Sequence, residues 1–104
     1  MTVTRERLLP LLQQRFHSVV CYLTGGEQEN LLIEVVGSQD QVAALVGASP
    51  KGLTPAAVRH LLAPQFISVV CYLSGDQWVL EVVGLSSKVS ALVTGEAVSA
   101  QRAD

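Results

Sequence analysis

Four short stretches of this chain are apolar, β-branched or aromatic at nearly every position, and they come in two matching pairs. Residues 16–23 read FHSVVCYL and residues 66–73 read FISVVCYL. Each is followed by a second run, Leu31-Leu-Ile-Glu-Val-Val-Gly37 and Trp78-Val-Leu-Glu-Val-Val-Gly84. Such composition at these lengths predicts β-strands. Between the later pair, Ser74-Gly-Asp-Gln77 has the residues of a tight turn, with Gly75-Asp76 at its centre. That turn pairs Leu73 with Trp78, Tyr72 with Val79, Cys71 with Leu80 and Val70 with Glu81. The earlier loop, Thr24-Gly-Gly-Glu-Gln-Glu-Asn30, is longer and polar and is expected to be mobile.

Side chains alternate across a strand, so each hairpin has two faces. One face carries His17, Val19, Cys21, Leu23, Leu31, Ile33 and Val35 in the first copy, and Ile67, Val69, Cys71, Leu73, Trp78, Leu80 and Val82 in the second. With no carboxylate, lysine or arginine, it is the face expected to meet helices, burying Trp78 and both cysteines. The other face carries Phe16, Ser18, Val20, Tyr22, Leu32, Glu34 and Val36, repeated as Phe66, Ser68, Val70, Tyr72, Val79, Glu81 and Val83.

Helix signals flank the hairpins. Thr54-Pro55 is an N-cap followed by proline at the first helical position, and Pro64 should end that helix. Thr4 is the equivalent cap in the first copy, ahead of Leu8, Leu11 and Leu12. Pro10 conflicts with an uninterrupted helix, so either the helix kinks there or a short one starts near it. After the hairpins, Gly37 and Gly84 should end the strands. Ser38-Gln-Asp-Gln41 reads as a capping box, and Ser86 or Ser87 is the second cap. Gly47 and Gly95 are expected C-terminal stops.

An internal repeat fixes the architecture. The expectation is one α+β domain over residues 1–104, built from two tandem α-β-β-(α) repeats, 3–47 and 53–95. Residues 48–52 are the linker and 96–104 a flexible tail. Units this short bury too little surface to stand alone, so both should share one core and one four-stranded antiparallel sheet about a pseudo-twofold axis. Strands 16–23 and 66–73, apolar on both faces, are placed in the middle. The strands bearing Glu34 and Glu81 are placed at the edges, where charge discourages stray pairing.

Composition narrows the function. Charged residues make up 15% of the 104 residues, against about 25% in ordinary soluble domains. A small domain with so little charge is expected to have part of its surface covered by another molecule. The net charge of −2 argues against nucleic acid, which needs a basic face. No run approaches a membrane span, and the opening residues lack a signal peptide's apolar core, which makes the cytoplasm the expected location.

Catalytic readings are weak. With their strands at the edges, Glu34 and Glu81 would stand roughly 15 Å apart, too far to share one reacting bond. His17 and Cys21 lie roughly 13 Å apart along one strand and have no ligand-spaced partners, so no metal is expected. Cys21 and Cys71 read as reduced, buried thiols acting as small apolar residues. No phosphate-binding loop is present and no cofactor is implied. The favoured reading is a non-enzymatic assembly module, forming a homodimer or higher oligomer through Phe16, Ser18, Val20, Tyr22, Glu34, Phe66, Ser68, Val70, Tyr72 and Glu81. The alternatives are a sensor or carrier of an apolar small molecule and, third, an RNA-binding sheet.

Overall fold

The computed structural model describes residues 5–24 and 30–95. Its elements follow the order α1 (Arg5–Gln13), β1 (Ser18–Thr24), β2 (Asn30–Gly37), α2 (Gln39–Val46), α3 (Pro55–Leu62), β3 (Ser68–Ser74), β4 (Gln77–Leu85) and α4 (Ser86–Thr94), with a 3-10 turn at Ala63–Gln65. This is an α+β fold with one four-stranded antiparallel sheet. The second hairpin takes the expected register, with Cys71 facing Leu80 and Leu73 facing Trp78, and the first pairs Cys21 with Ile33.

The strand order is β1-β2-β4-β3, the reverse of the expected arrangement. The glutamate-bearing strands β2 and β4 form the centre, and β1 and β3 are the edges. Burial explains the outcome. Inward positions Leu31, Ile33 and Val35 of β2, and Trp78, Leu80 and Val82 of β4, are all buried. On the edge strands, Leu23, Ile67 and Leu73 were also assigned to the covered face but are more than half exposed, and His17 is exposed. Helices α1 and α3 lie against β1 and β3 over Val19, Cys21, Val69 and Cys71 but leave Leu23 and Leu73 uncovered at the hairpin ends.

All four helices contribute to one core. Leu8 and Leu12 of α1, Val42, Leu45 and Val46 of α2, Val58 and Leu62 of α3, and Val89, Leu92 and Val93 of α4 cluster with the inward residues of the sheet. Local signals account for most helix ends. Ser38 and Gln41 form a reciprocal capping box, and Gly47 closes α2 in the left-handed conformation at φ 73°. Thr54 Oγ1 accepts from the Ala57 amide at 3.1 Å, ahead of Pro55. α1 passes through Pro10, so no separate helix begins there. β4 continues past Gly84 to Leu85 and passes directly into α4, so Ser86 is the first helical residue and no side chain caps this helix. Thr4, the polar loop at 25–29 and the tail at 96–104 lie outside the described residues.

Phe16 and Phe66 depart from the alternation for a definable reason. The His17 amide donates to the Val36 carbonyl at 2.8 Å, although Val36 is the register partner of Ser18. Two residues of one strand thus face one of the other, which is a β-bulge. The second repeat does the same, with the Ile67 amide on the Val83 carbonyl at 2.8 Å and Ser68 paired with Val83. The extra residue shifts the period, and each phenylalanine turns to the helix side. There each fills the space left by a glycine. A Cβ on Gly37 would lie 2.9 Å from the Phe16 ring, and one on Gly84 2.8 Å from the Phe66 ring. Phe16 is buried in the core and Phe66 packs against it. Neither belongs to the outer face to which the period assigned it.

Candidate interaction face

With both phenylalanines turned inward, three rows of side chains run across the outer surface of the sheet, in the order β1, β2, β4, β3. They are Ser18-Val36-Val79-Tyr72, Val20-Glu34-Glu81-Val70 and Tyr22-Leu32-Val83-Ser68. The core cluster of the helices includes none of these residues. Among the described residues, then, the helices lie on the opposite side; on this face Val79 is buried and the other residues of the two central strands are half-buried. Val20, Tyr22, Val70 and Tyr72 are 38–49% exposed.

The pairings place Glu34 and Glu81 directly opposite each other at the centre of the rows, as cross-strand partners. Tyrosines occupy one diagonal of the face and serines the other. The valines Val20 and Val70 flank the glutamates on either side.

Glu34 and Glu81 are therefore about 5 Å apart at Cα, not roughly 15 Å. Exchanging centre for edge in the strand order caused the error. Two like charges directly opposite each other cost roughly 0.2–1 kcal/mol. No lysine, arginine or histidine lies on any of the four strands to offset them. The repeat held the missing signal. Joining two hairpins through their second strands about a twofold axis must bring equivalent central residues together.

The remaining chemistry is sparse. Cys21 and Cys71 are buried, and neither forms a disulfide. Burial pushes the Cys71 thiol up to about 11, and the nearby Arg59 charge only partly opposes this. Such a thiol is a poor nucleophile at neutral pH. Arg59 Nη1 also donates to the Cys71 carbonyl, at 2.6 Å, along the outer edge of β3. An open groove of about 190 Å³ lies where the two units meet, lined by His17, Gly37, Ser38, Asp76 and Gln77. Among the described residues no group of three or more His, Cys, Asp or Glu could hold a metal ion. No helix among them is long and apolar enough to cross a membrane. No protein-family model, curated protein or solved structure matches the chain.

Proposed function

We propose that this protein is a non-enzymatic assembly module that self-associates by stacking the outer sheet faces of two copies. One observation carries the reading: the open face is complementary to itself. Two sheets stacked face to face are related by a twofold axis lying between them. An axis along the strands, or one across them, sets each tyrosine of one copy over a serine of the other. Large meets small at all four corners, and Val20 and Val70 meet valines. The sheet's own pseudo-twofold makes both choices of axis equivalent in this respect. Apolar faces of this kind are covered in stable proteins, and a second copy is the occupant the pattern fits.

Size sets the expected strength. Four strands at about 4.8 Å and seven residues at about 3.3 Å give a face of roughly 400 Å² in projection. Two such faces fall at the low end of specific interfaces, near 1,000 Å² in total. The dimer is accordingly expected in the micromolar range, with Tyr22 and Tyr72 as its anchors. Two buried cysteines without a disulfide fit a reducing compartment, the cytoplasm. The acidic centre of the face disfavours RNA as the occupant.

Replacing Val70 and Tyr72 together with Asp tests this reading. Both side chains lie outside the core, so the fold should survive by circular dichroism. Desolvating four new carboxylates in the dimer should abolish association. Light scattering at tens of micromolar should show a wild-type dimer and a folded mutant monomer. A wild-type monomer under all conditions would sink the assembly reading. A small molecule retained by that monomer in native mass spectrometry would favour a carrier instead.

A further inference from the structure

We infer that self-association of this protein takes up protons, through the Glu34 and Glu81 carboxylates at the centre of the outer face. The inference rests on the stacked-face reading and adds its regulation. In the free protomer the two glutamates are cross-strand partners and half-buried, with water on their open side. The side chains around them are Val20 and Val70 in their own row and Val36, Val79, Leu32 and Val83 in the rows above and below. Either twofold that sets tyrosine over serine also sets this central row onto itself. Glu34 and Glu81 of one copy then face Glu34 and Glu81 of the other. Four carboxylates meet at one point, walled by apolar side chains and cut off from solvent.

Carboxylates in that setting cannot all stay ionised. Like charges in contact and loss of hydration both favour the neutral acid. Sharing a proton turns repulsion into a hydrogen bond, since a neutral carboxyl donates to an ionised one. Two shared protons, one for each facing pair, satisfy the four groups. The protons come from solvent on association and return to it on dissociation.

Among the described residues no other group on the face can supply the compensation. Its remaining titratable groups are Tyr22 and Tyr72, at the corners, in either copy. The helices, with Arg7, Asp40, Arg59 and Lys88, pack on the opposite side of the sheet, and Arg15, just after α1, donates to the Val93 carbonyl of α4. Both cysteines also face that side. His17 lies at the bulge before β1, lining the groove with Asp76, and His60 lies on α3. Among the described residues these histidines are the other groups whose ordinary range falls between about pH 5 and 8, so they need a control.

Linkage fixes the sign. The associated state binds more protons than the separated copies, so association tightens as pH falls. Uptake of one proton per dimer raises Kd about tenfold per pH unit, and uptake of two raises it about a hundredfold. Sedimentation equilibrium between about pH 5 and 8 reads this directly on the wild-type chain, the Glu34→Gln/Glu81→Gln variant and a His17→Gln/His60→Gln variant. The expected result is a wild-type Kd that rises at least tenfold per pH unit. The glutamine pair should associate with little pH dependence and hold more tightly than wild type at pH 8. The histidine pair should keep the wild-type slope. A wild-type dimer with a flat or inverted profile overturns the proton linkage and leaves face-to-face association standing. So does a slope that vanishes in the histidine variant. Monomers at every pH, in wild type and glutamine variant alike, overturn the association itself.

Discussion

The two repeat units make the same fold by different local means. In the first, α1 carries Pro10 in its interior, the hairpin loop is long, and α2 is held by a reciprocal capping box. In the second, α3 starts from Thr54-Pro55, the hairpin closes through Gly75-Asp76, and α4 begins with no side-chain cap at all. What the units share is narrower: the bulge ahead of the first strand, the phenylalanine it turns inward, the glycine beneath that ring, and one glutamate on the outer face. The shared set is geometric. It consists of positions where backbone meets ring or strand meets strand across the axis. Helix ends and loops admit several solutions, and the two copies have taken different ones.

Separating the units is the harshest way to break this comparison. A chain ending at Ser49 loses β4 and leaves Ile33 and Val35 without their cross-strand partners Val82 and Leu80. It should show no cooperative unfolding by circular dichroism in urea. A sharp monomeric transition would mean that each unit owns a complete core.

A milder test adds one methyl group beneath each ring. Gly37→Ala and Gly84→Ala both drive a Cβ into a phenylalanine, and overpacking of this kind costs about 1–3 kcal/mol. The two should not be equal. A Cβ on Gly37 also meets Gln41 Oε1 of the capping box, and Phe16 is 6% exposed and cannot yield, whereas a Cβ on Gly84 meets only Phe66, which is partly buried and can swing outward. Urea unfolding followed by the buried Trp78 should rank Gly37→Ala as the more damaging. Equal losses would mean that neither the Gln41 contact nor the tighter burial of Phe16 adds to the cost.

The smallest effect separates the helix starts. Ser38→Ala removes the capping oxygen and one side of the box, which should cost about 1 kcal/mol. Ser87→Ala, at an exposed position in a helix without a cap, should change stability by less than about 0.5 kcal/mol. Losses of the same size at both positions would show that the box contributes nothing beyond helix propensity.

Much of this architecture is written in the residues. The repeat, the register of the second hairpin, the split into faces, the capping box and the threonine–proline start follow from local rules, because each depends on neighbours close in sequence. Strand order does not. All four strands are apolar on both faces, so hydrophobicity cannot rank centre against edge, and Glu34 and Glu81 resemble edge charges until the axis between them is known. Phe16 and Phe66 were misplaced because a bulge shifts a period-two pattern by one residue and leaves no local mark on composition. Ile67 and His17 were misplaced by the same bulge, which turns the residue after each phenylalanine off the inner face, whereas Leu23 and Leu73 lie at the hairpin ends of edge strands. The outer rows survived both errors from Ser18 and Ser68 onward, since alternation within a strand is unaffected by which neighbour it pairs with.

The strand order carries a hazard of its own. The edge strands β1 and β3 read SVVCYLT and SVVCYLS, are uncharged, and run in opposite directions. A copy slid sideways by one sheet width would offer its β1 to its neighbour's β3 in antiparallel sense, and the same step would repeat without end. Stacked faces close after two copies; joined edges polymerise. Arg59 stands across that route. Its guanidinium occupies the Cys71 carbonyl, one of the acceptors a docking strand would need. The corresponding position in the first unit is Leu9, which packs toward the core instead. One arginine, placed in one repeat and not the other, thus makes the growing fibre's two ends unequal and leaves each added copy facing a blocked edge.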